Sequence, residues 1–380
     1  MRFFLKANFV LIKGVKRGAI YDLKKGDVYD VVPRSVKQLE SIEQDEKFWR
    51  ILVKEGLAIR VKNKPKIVIS SPTPKLNFVW LEVNEDCNFK CIHCYGGWGK
   101  KRVEKKYKDV NWYKVIDFIK LQKCSQIQII GGEPLLFPDL KNLIKYSKKV
   151  GIELVEVFTN GSLLNDEWLE FFKSMNVDLA ISLHTVNDKK FKKITQSKFD
   201  VNLILSNIRK AKKIGLKLRV ATVVMKQNQN DLVNIQKECP VKNLRFDVVR
   251  PSKDLKMGSL LPKKQIQSNL AFFTSPPMKT SKKDFELKKY FNSCWMGRMA
   301  ITTNGDIIPC IFARTIVVGN INEDSLETAY EKLVEKYWSF NLDKVEKCAG
   351  CEYRYVCKNC RPLAMGYSGR LEAPNPYCKV

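Results

Sequence analysis

Between residues 87 and 94 the chain reads Cys-Asn-Phe-Lys-Cys-Ile-His-Cys, three cysteines at a Cys-x3-Cys-x2-Cys spacing. Soft thiolates suit iron–sulfur clusters, and arms this short force Cys87, Cys91 and Cys94 into one compact site. Three thiolates hold three irons of a 4Fe-4S cluster. The next cysteine is Cys124, thirty residues on, so the fourth iron is left for a ligand that is not protein. A zinc knuckle completed by His93 and chance clustering are the alternatives that the spacing leaves open.

Seven more cysteines, Cys294, Cys310, Cys348, Cys351, Cys357, Cys360 and Cys378, form a second system. From Cys348 to Cys360 the spacing is Cys-x2-Cys-x5-Cys-x2-Cys, and Cys378 follows after a gap of seventeen residues. A zinc ribbon would use two Cys-x2-Cys knuckles, but the five residues between them are too few for its hairpin, and three cysteines would be left over. Cys124 and Cys239 lie outside both systems and read as small buried hydrophobes. Twelve cysteines grouped in this way point to metal rather than to disulfides, given a reducing compartment.

The composition narrows the class. An apolar fraction of 44% is that of a globular protein, and no apolar run reaches the ~18–20 residues needed to cross a bilayer. Lys6, Asn8 and Lys13 interrupt any signal-peptide core near the start. A cytoplasmic protein without a membrane partner is expected. The net charge of +28 invites an anionic partner, yet the lysines are spread through every segment. Most of them read as solvated faces, and nucleic acid is not expected as a partner.

These residues need a scaffold. Six β-like runs, Phe78–Val83, Ile127–Ile130, Val155–Thr159, Leu179–Ser182, Leu218–Val224 and Leu244–Val249, alternate with segments of helical apolar period. Such alternation implies a parallel sheet with helices outside, and six units make a partial (β/α)6 barrel. Active sites of such barrels lie at the C-terminal ends of the strands. The three cysteines follow the first strand, Gly131-Gly132-Glu133-Pro134 the second, Asn160-Gly161 the third, Ser182-Leu183-His184 the fourth and Arg250-Pro251 the sixth. Paired glycines let backbone approach a ligand closely, and Glu133 offers a carboxylate to an ammonium, although a simple turn would explain the same four residues.

A Gly-Gly-Glu-Pro about forty residues beyond such a cysteine triad resembles the radical SAM superfamily. The resemblance implies that the open iron is chelated by S-adenosylmethionine. Reductive cleavage there releases a 5′-deoxyadenosyl radical that takes a hydrogen from the substrate. It assigns Gly131, Gly132, Glu133 and Pro134 to the methionine amino group, His93 to the side of the adenine, and Ser182 to the ribose and carboxylate. Relatives often place an arginine beyond the fourth strand, where this chain has Lys189, Lys190, Lys192 and Lys193. These lysines read individually as a solvated helix end.

The C-terminal cysteines, with Asn304-Gly305-Asp306, Pro309-Cys310 and Gly319-Asn320 around them, resemble the SPASM extension of these enzymes. The resemblance implies two auxiliary 4Fe-4S clusters, three in all. Cys348, Cys351, Cys357 and Cys378 would hold one, and Cys294, Cys310 and Cys360 the other. The last gap of the four-cysteine run is two residues here and three in the family. Relatives with a fully ligated first auxiliary cluster, the one matching Cys294, Cys310 and Cys360, carry one more cysteine a few residues ahead of the position of Cys294. Lys288 to Ser293 contains none, which leaves one iron open.

Ahead of the barrel, Phe9–Lys13, Gly18–Leu23 and Val28–Val32 read as strands, and Ser35–Ile42 and Lys47–Gly56 as helices. Lys62 to Pro74 reads as a strand or linker. A winged-helix-like module of this size resembles the peptide-recognition elements of peptide maturases, the grasp-with-spasm type most closely. Those bind a leader peptide by strand addition. The expected organisation is thus a small α+β module over residues 1–70, a radical SAM partial barrel over 76–255, and a SPASM domain over 285–380. The resemblance implies an enzyme that oxidatively modifies, by cross-linking, a ribosomally made precursor peptide, with a reductase supplying electrons. The alternatives are a formylglycine-forming sulfatase activator, which generally lacks such a module, and a nucleic-acid-binding Fe-S protein.

Overall fold

The structure is a computed structural model that describes residues 1–98, 110–250, 257–263, 278–358, 360–378 and 380. Pro251, singled out after the sixth strand, lies outside them. The chain divides into two compact units: Met1–Thr73 with Phe272–Cys294 and Trp338–Val380, and Pro74–Ala271 with Trp295–Tyr337.

In the first unit, β2 (Phe9–Lys13), β3 (Gly18–Asp22) and β4 (Val28–Val31) form an antiparallel sheet in that order. Their turns carry the expected chemistry. Between β3 and β4, Asp22 Oδ1 accepts from the Lys24 and Lys25 N–H groups at 2.9 and 3.0 Å, and Gly26 takes a φ of +86°. Helix α1 (Pro33–Glu40) begins two residues before the expected Ser35, because proline loses nothing at the first helical position. Helix α2 (Glu46–Lys54) is capped by Asp45, which accepts from the Phe48 N–H at 3.1 Å. Two strands escape the sequence reading: β1 (Arg2–Leu5) pairs antiparallel with β5 (Ala58–Val61). Four residues are too few to show alternation, and what holds β1 is tertiary, Phe3 stacking on Trp49 of α2 at 6.1 Å. Lys62 to Pro74 has no regular secondary structure.

In the second unit, β6 (Phe78–Glu82), β7 (Gln126–Ile130), β8 (Leu154–Thr159), β9 (Asp178–Ser182), β10 (Leu218–Val224) and β11 (Leu244–Val248) lie side by side in chain order. Every neighbouring pair is parallel. Helices α3 (Trp112–Leu121), α4 (Leu140–Lys149), α5 (Asp166–Ser174), α7 (Val201–Lys213) and α8 (Leu232–Glu238) fill the connections as expected. The protein therefore has the mixed α/β partial barrel fold, and its parallel strands put their C-terminal ends on one rim.

Two features of this unit go beyond the sequence reading, which had the lysines after the fourth strand only as a solvated helix end. The lysine-rich stretch after β9 is a helix of its own, α6 (Asp188–Thr195), capped by Asn187 and anchored by buried Phe191 and Ile194. The open edge of β6 is covered by β12 (Arg298–Ile301), parallel to it, with Ala300 opposite Trp80. Strands β13 (Asp306–Ile308) and β14 (Gly319–Asn320) continue the sheet antiparallel. Pairing removes a row of unsatisfied backbone groups from the edge of β6.

Candidate functional site

On the rim, the loop after β6 is sewn to the loop after β7 by backbone. Gly132 N–H donates to Asn84 O at 2.8 Å and Glu133 N–H to Asp86 O at 2.7 Å, while Asn84 Nδ2 donates to Glu133 O at 3.0 Å. The two glycines are there for this contact. A Cβ on Gly131 would lie 2.4 Å from Asn84 O, and one on Gly132 would lie 2.2 Å from Asp86 O. Asparagines add the loop after β8: Asn160 Nδ2 donates to Asn88 Oδ1 and Asn88 Nδ2 to Ser162 Oγ, both at 2.7 Å. Lys90 and Ile92 N–H groups donate to Thr195 O and Ile194 O at the end of α6, each at 2.9 Å. The cysteine loop is thus fixed on three sides by neighbouring βα loops.

The arrangement encloses a cavity of about 200 Å³ lined by Cys87, Cys91, Cys94, His93, Gly131, Gly132 and Ser182. These are seven of the residues expected there. Burial pushes the Cys87 thiol up to about 12, with the carboxylate of Glu133 and the thiol of Cys94 adding to it. Three soft donors on one wall fit a cluster whose positive irons would hold them as thiolates.

Glu133 is used differently from the expectation. Its carboxylate is fully buried and turned into the protein: Oε1 accepts from Thr159 Oγ1 at 2.6 Å and from Leu135 N–H at 3.1 Å, and Oε2 from Asn160 N–H at 2.8 Å. Burial pushes it up to about 7 against those three donors, which favour the ionised form. Glu133 holds the β7 and β8 loops together, and the glycines before it face the cavity. Pro134 opens a 3-10 turn, Pro134–Leu136, in which Pro134 and Leu135 are buried and Leu136 is exposed. Among the four lysines, Lys190 Nζ reaches Asp231 Oδ1 at 2.5 Å, and Lys192 pairs with Asp188 at 2.6 Å.

Sequence reasoning gave no role to several residues of this wall. His184, after β9, is buried and lines the cavity. Its Nδ1 accepts from Val223 N–H at 3.3 Å, which leaves the proton on Nε2, and burial pushes it down to about 4. Tyr95, Trp98 and Phe312 form an aromatic side, Tyr95 lying 5.0 Å from Trp98 and 5.2 Å from Phe312 between ring centroids. Beneath them Arg314 donates to both oxygens of the fully buried Glu82 at 2.8 and 2.9 Å, and Tyr95 OH donates to Glu82 Oε1 at 3.2 Å. A lone acid ending the apolar run Phe-Val-Trp-Leu was the available signal.

The C-terminal cysteines fall in both units. Cys348, Cys351, Cys357 and Cys378 line one cavity of about 1160 Å³ in the first unit. Burial, then the neighbouring thiols, push Cys357 up to about 12. Cys294 and Cys360 belong to the same unit, where the fully buried Arg361 feels thiols of both sets, Cys348 and Cys357 as well as Cys360 and Cys294. Cys310 follows β13 in the second unit. Cys124 and Cys239 are buried, as a hydrophobic role requires.

Residues 81–239 match the radical SAM superfamily, and residues 294–361 match SPASM, an iron-sulfur cluster-binding domain. A GTP 3′,8-cyclase of Clostridium botulinum is 27% identical over 303 residues, spanning 69% of this chain and 92% of that protein. Among solved structures, SuiB of Streptococcus suis bound to precursor peptide SuiA aligns over 100% of both chains with a TM-score of 0.60 and 15% identity. The protein anSMEcpe with bound AdoMet aligns over 79% of this chain and 93% of its own, with a TM-score of 0.61 and 17% identity. At such identities the structural likeness concerns the fold.

Proposed function

Since the chain is a radical SAM enzyme carrying a SPASM domain, we propose that it modifies a ribosomally made precursor peptide, joining two of its atoms in a cross-link. S-adenosylmethionine, held beside Cys87, Cys91 and Cys94, supplies the hydrogen-abstracting radical when bound. His93, Gly131, Gly132 and Ser182 would line its seat, and Glu133 would fix the glycine turn from behind. A cross-link removes two hydrogens from the peptide. One would be taken by the radical that S-adenosylmethionine supplies when bound, and the other would leave as a proton and an electron. That electron needs an acceptor, a task suited to clusters on the C-terminal cysteines, and an external reductase supplies the first one.

The observation that carries the peptide reading is the edge of the N-terminal sheet. Val28 N–H donates outward to Met278 O at 2.9 Å. By the two-residue alternation of an antiparallel strand, the N–H and C=O of Asp30 then also face away from β3. The opposite edge is partly used, since Lys13 O accepts from Arg354 Nη1 at 3.1 Å. The end of this edge at residues 26–28 is held by the chain itself, Val28 N–H donating to Met278 O and Thr280 N–H to Gly26 O at 2.7 Å, so an added peptide strand would have to pair beyond Val28. That SuiB, a whole-chain match in fold, is found with a precursor peptide supports the same reading.

The test is anaerobic turnover of a short peptide encoded beside the gene, read by mass spectrometry. Loss of a hydrogen pair, dependent on S-adenosylmethionine and reductant, is expected. The second reading is a GTP-acting cyclase, favoured by the curated relatives. Consumption of GTP with an unchanged peptide would replace the first reading by the second.

A further inference from the structure

The cavity lined by Cys348, Cys351, Cys357 and Cys378 is not built by the C-terminal segment alone. Val15, Lys16 and Arg17, from the turn between β2 and β3, line it as well. The turn is docked there by backbone and side chain. Val15 N–H donates to Gly350 O at 2.8 Å, Tyr21 OH to Glu352 O at 2.8 Å, and Arg354 Nη1 to Lys13 O at 3.1 Å. Contact is close enough that a Cβ on Gly350 would lie 2.6 Å from Val15 Cγ2, and one on Gly14 would lie 3.0 Å from Glu352 N. Beneath the turn, Val10, Ile12 and Tyr21 share one core with Phe285, Tyr353, Tyr355 and Val356. Tyr21 and Val356 are both 0% exposed in it. Hairpin and cysteine segment therefore fold as one piece.

We infer that the β2–β3 turn is a built part of the second auxiliary cluster site, so that the N-terminal module supports and shields that cluster in addition to serving a peptide. The inference rests on the reading of these four cysteines as cluster ligands. Val15 stands on the lip, 85% exposed, an apolar side chain beside the thiols. Lys16 and Arg17 are exposed next to it. Exposure, nearby charge and hydrogen bonds set the potential of an iron–sulfur cluster, and cations at the lip favour its reduced, more negative form.

The test uses the full chain, anaerobically reconstituted with iron and sulfide, and follows the reduced-cluster spectrum that is lost in Cys351→Ala. In Val15→Pro the N–H that holds the turn to Gly350 is gone, and iron from that cluster should pass to a chelator several-fold faster. In Lys16→Glu/Arg17→Glu, which alters only exposed side chains, the midpoint potential of that signal should fall. The signal lost in Cys87→Ala should keep its potential in both variants. If Val15→Pro does not fold, the exposed double variant decides. Unchanged potential in that double variant, together with unchanged iron release where Val15→Pro folds, overturns the inference while the cluster reading stands. Wild-type chain holding no cluster on these cysteines overturns both.

Discussion

The two histidines of this chain meet edge to face, the rings of His93 and His184 lying 4.3 Å apart between centroids at an interplanar angle of 77°. One stands in the cysteine loop and the other after β9, and both line the same cavity. His184 is oriented from behind by the Val223 N–H on its Nδ1, so it presents a neutral ring with the proton on Nε2.

His184 gives the protein a pH dependence of known sign. Burial pushes it down to about 4 from its ordinary 6.5. The unfolded chain therefore takes up the proton first as pH falls. Its contribution is full above about pH 6.5 and is lost toward pH 4, at most about 3 kcal/mol. Urea unfolding across this window should show the slope, and His184→Asn, whose Oδ1 stands where Nδ1 accepts from Val223, should flatten it.

Gly132→Ala should weaken S-adenosylmethionine binding by about 10- to 100-fold without removing any ligand. The added Cβ meets backbone, 2.2 Å from Asp86 O and 2.7 Å from Glu85 O, and backbone cannot swing aside as a side chain would. The cysteine loop must shift, at about 1–3 kcal/mol. Equilibrium dialysis of S-adenosylmethionine against the reconstituted variant measures the effect.

Replacing Cys87, Cys91 and Cys94 together with alanine should lower iron from about twelve to about eight per chain, one 4Fe-4S cluster of three. Cleavage of S-adenosylmethionine should cease while the remaining iron keeps its spectrum. Iron analysis showing zinc in the C-terminal sites would contradict this.

Asp30→Pro tests the sheet edge. Proline there removes one outward N–H, while the bonds between β3 and β4 are made by the alternate residues. Peptide turnover should drop and uncoupled cleavage of S-adenosylmethionine should persist, with Asp30→Ala close to wild type. Equal turnover in all three would remove β4 from peptide binding.

Arg314→Met should destabilise the protein by about 3–5 kcal/mol, because it leaves a buried carboxylate without its cation and with the Tyr95 hydroxyl alone to donate to it. Glu82 is 0% exposed and takes both oxygens' bonds from that guanidinium. Adding Glu82→Leu should recover most of the loss, as a double-mutant cycle in denaturant would show.

Much of this architecture is legible in the chain itself. Cys87, Cys91 and Cys94 lie so close in sequence that no fold could separate them, and each barrel strand is a local apolar run that announces itself. What the sequence could not show is which distant segments close on one another. The glycines at 131 and 132 read as room for a ligand; the structure lines the cavity with them and also sets them against Asn84 and Asp86 across the neighbouring loop, a contact that no local pattern announces. Glu133 read as a ligand-facing acid, but Thr159, Leu135 and Asn160 turn it inward. The N-terminal module read as a unit of its own over residues 1–70, whereas Tyr21 donates to Glu352, 331 residues away in the chain. Local periodicity reports which face of a strand or helix is apolar; it carries no information on which other face will cover it. That choice is made only when long loops close and the whole core packs at once.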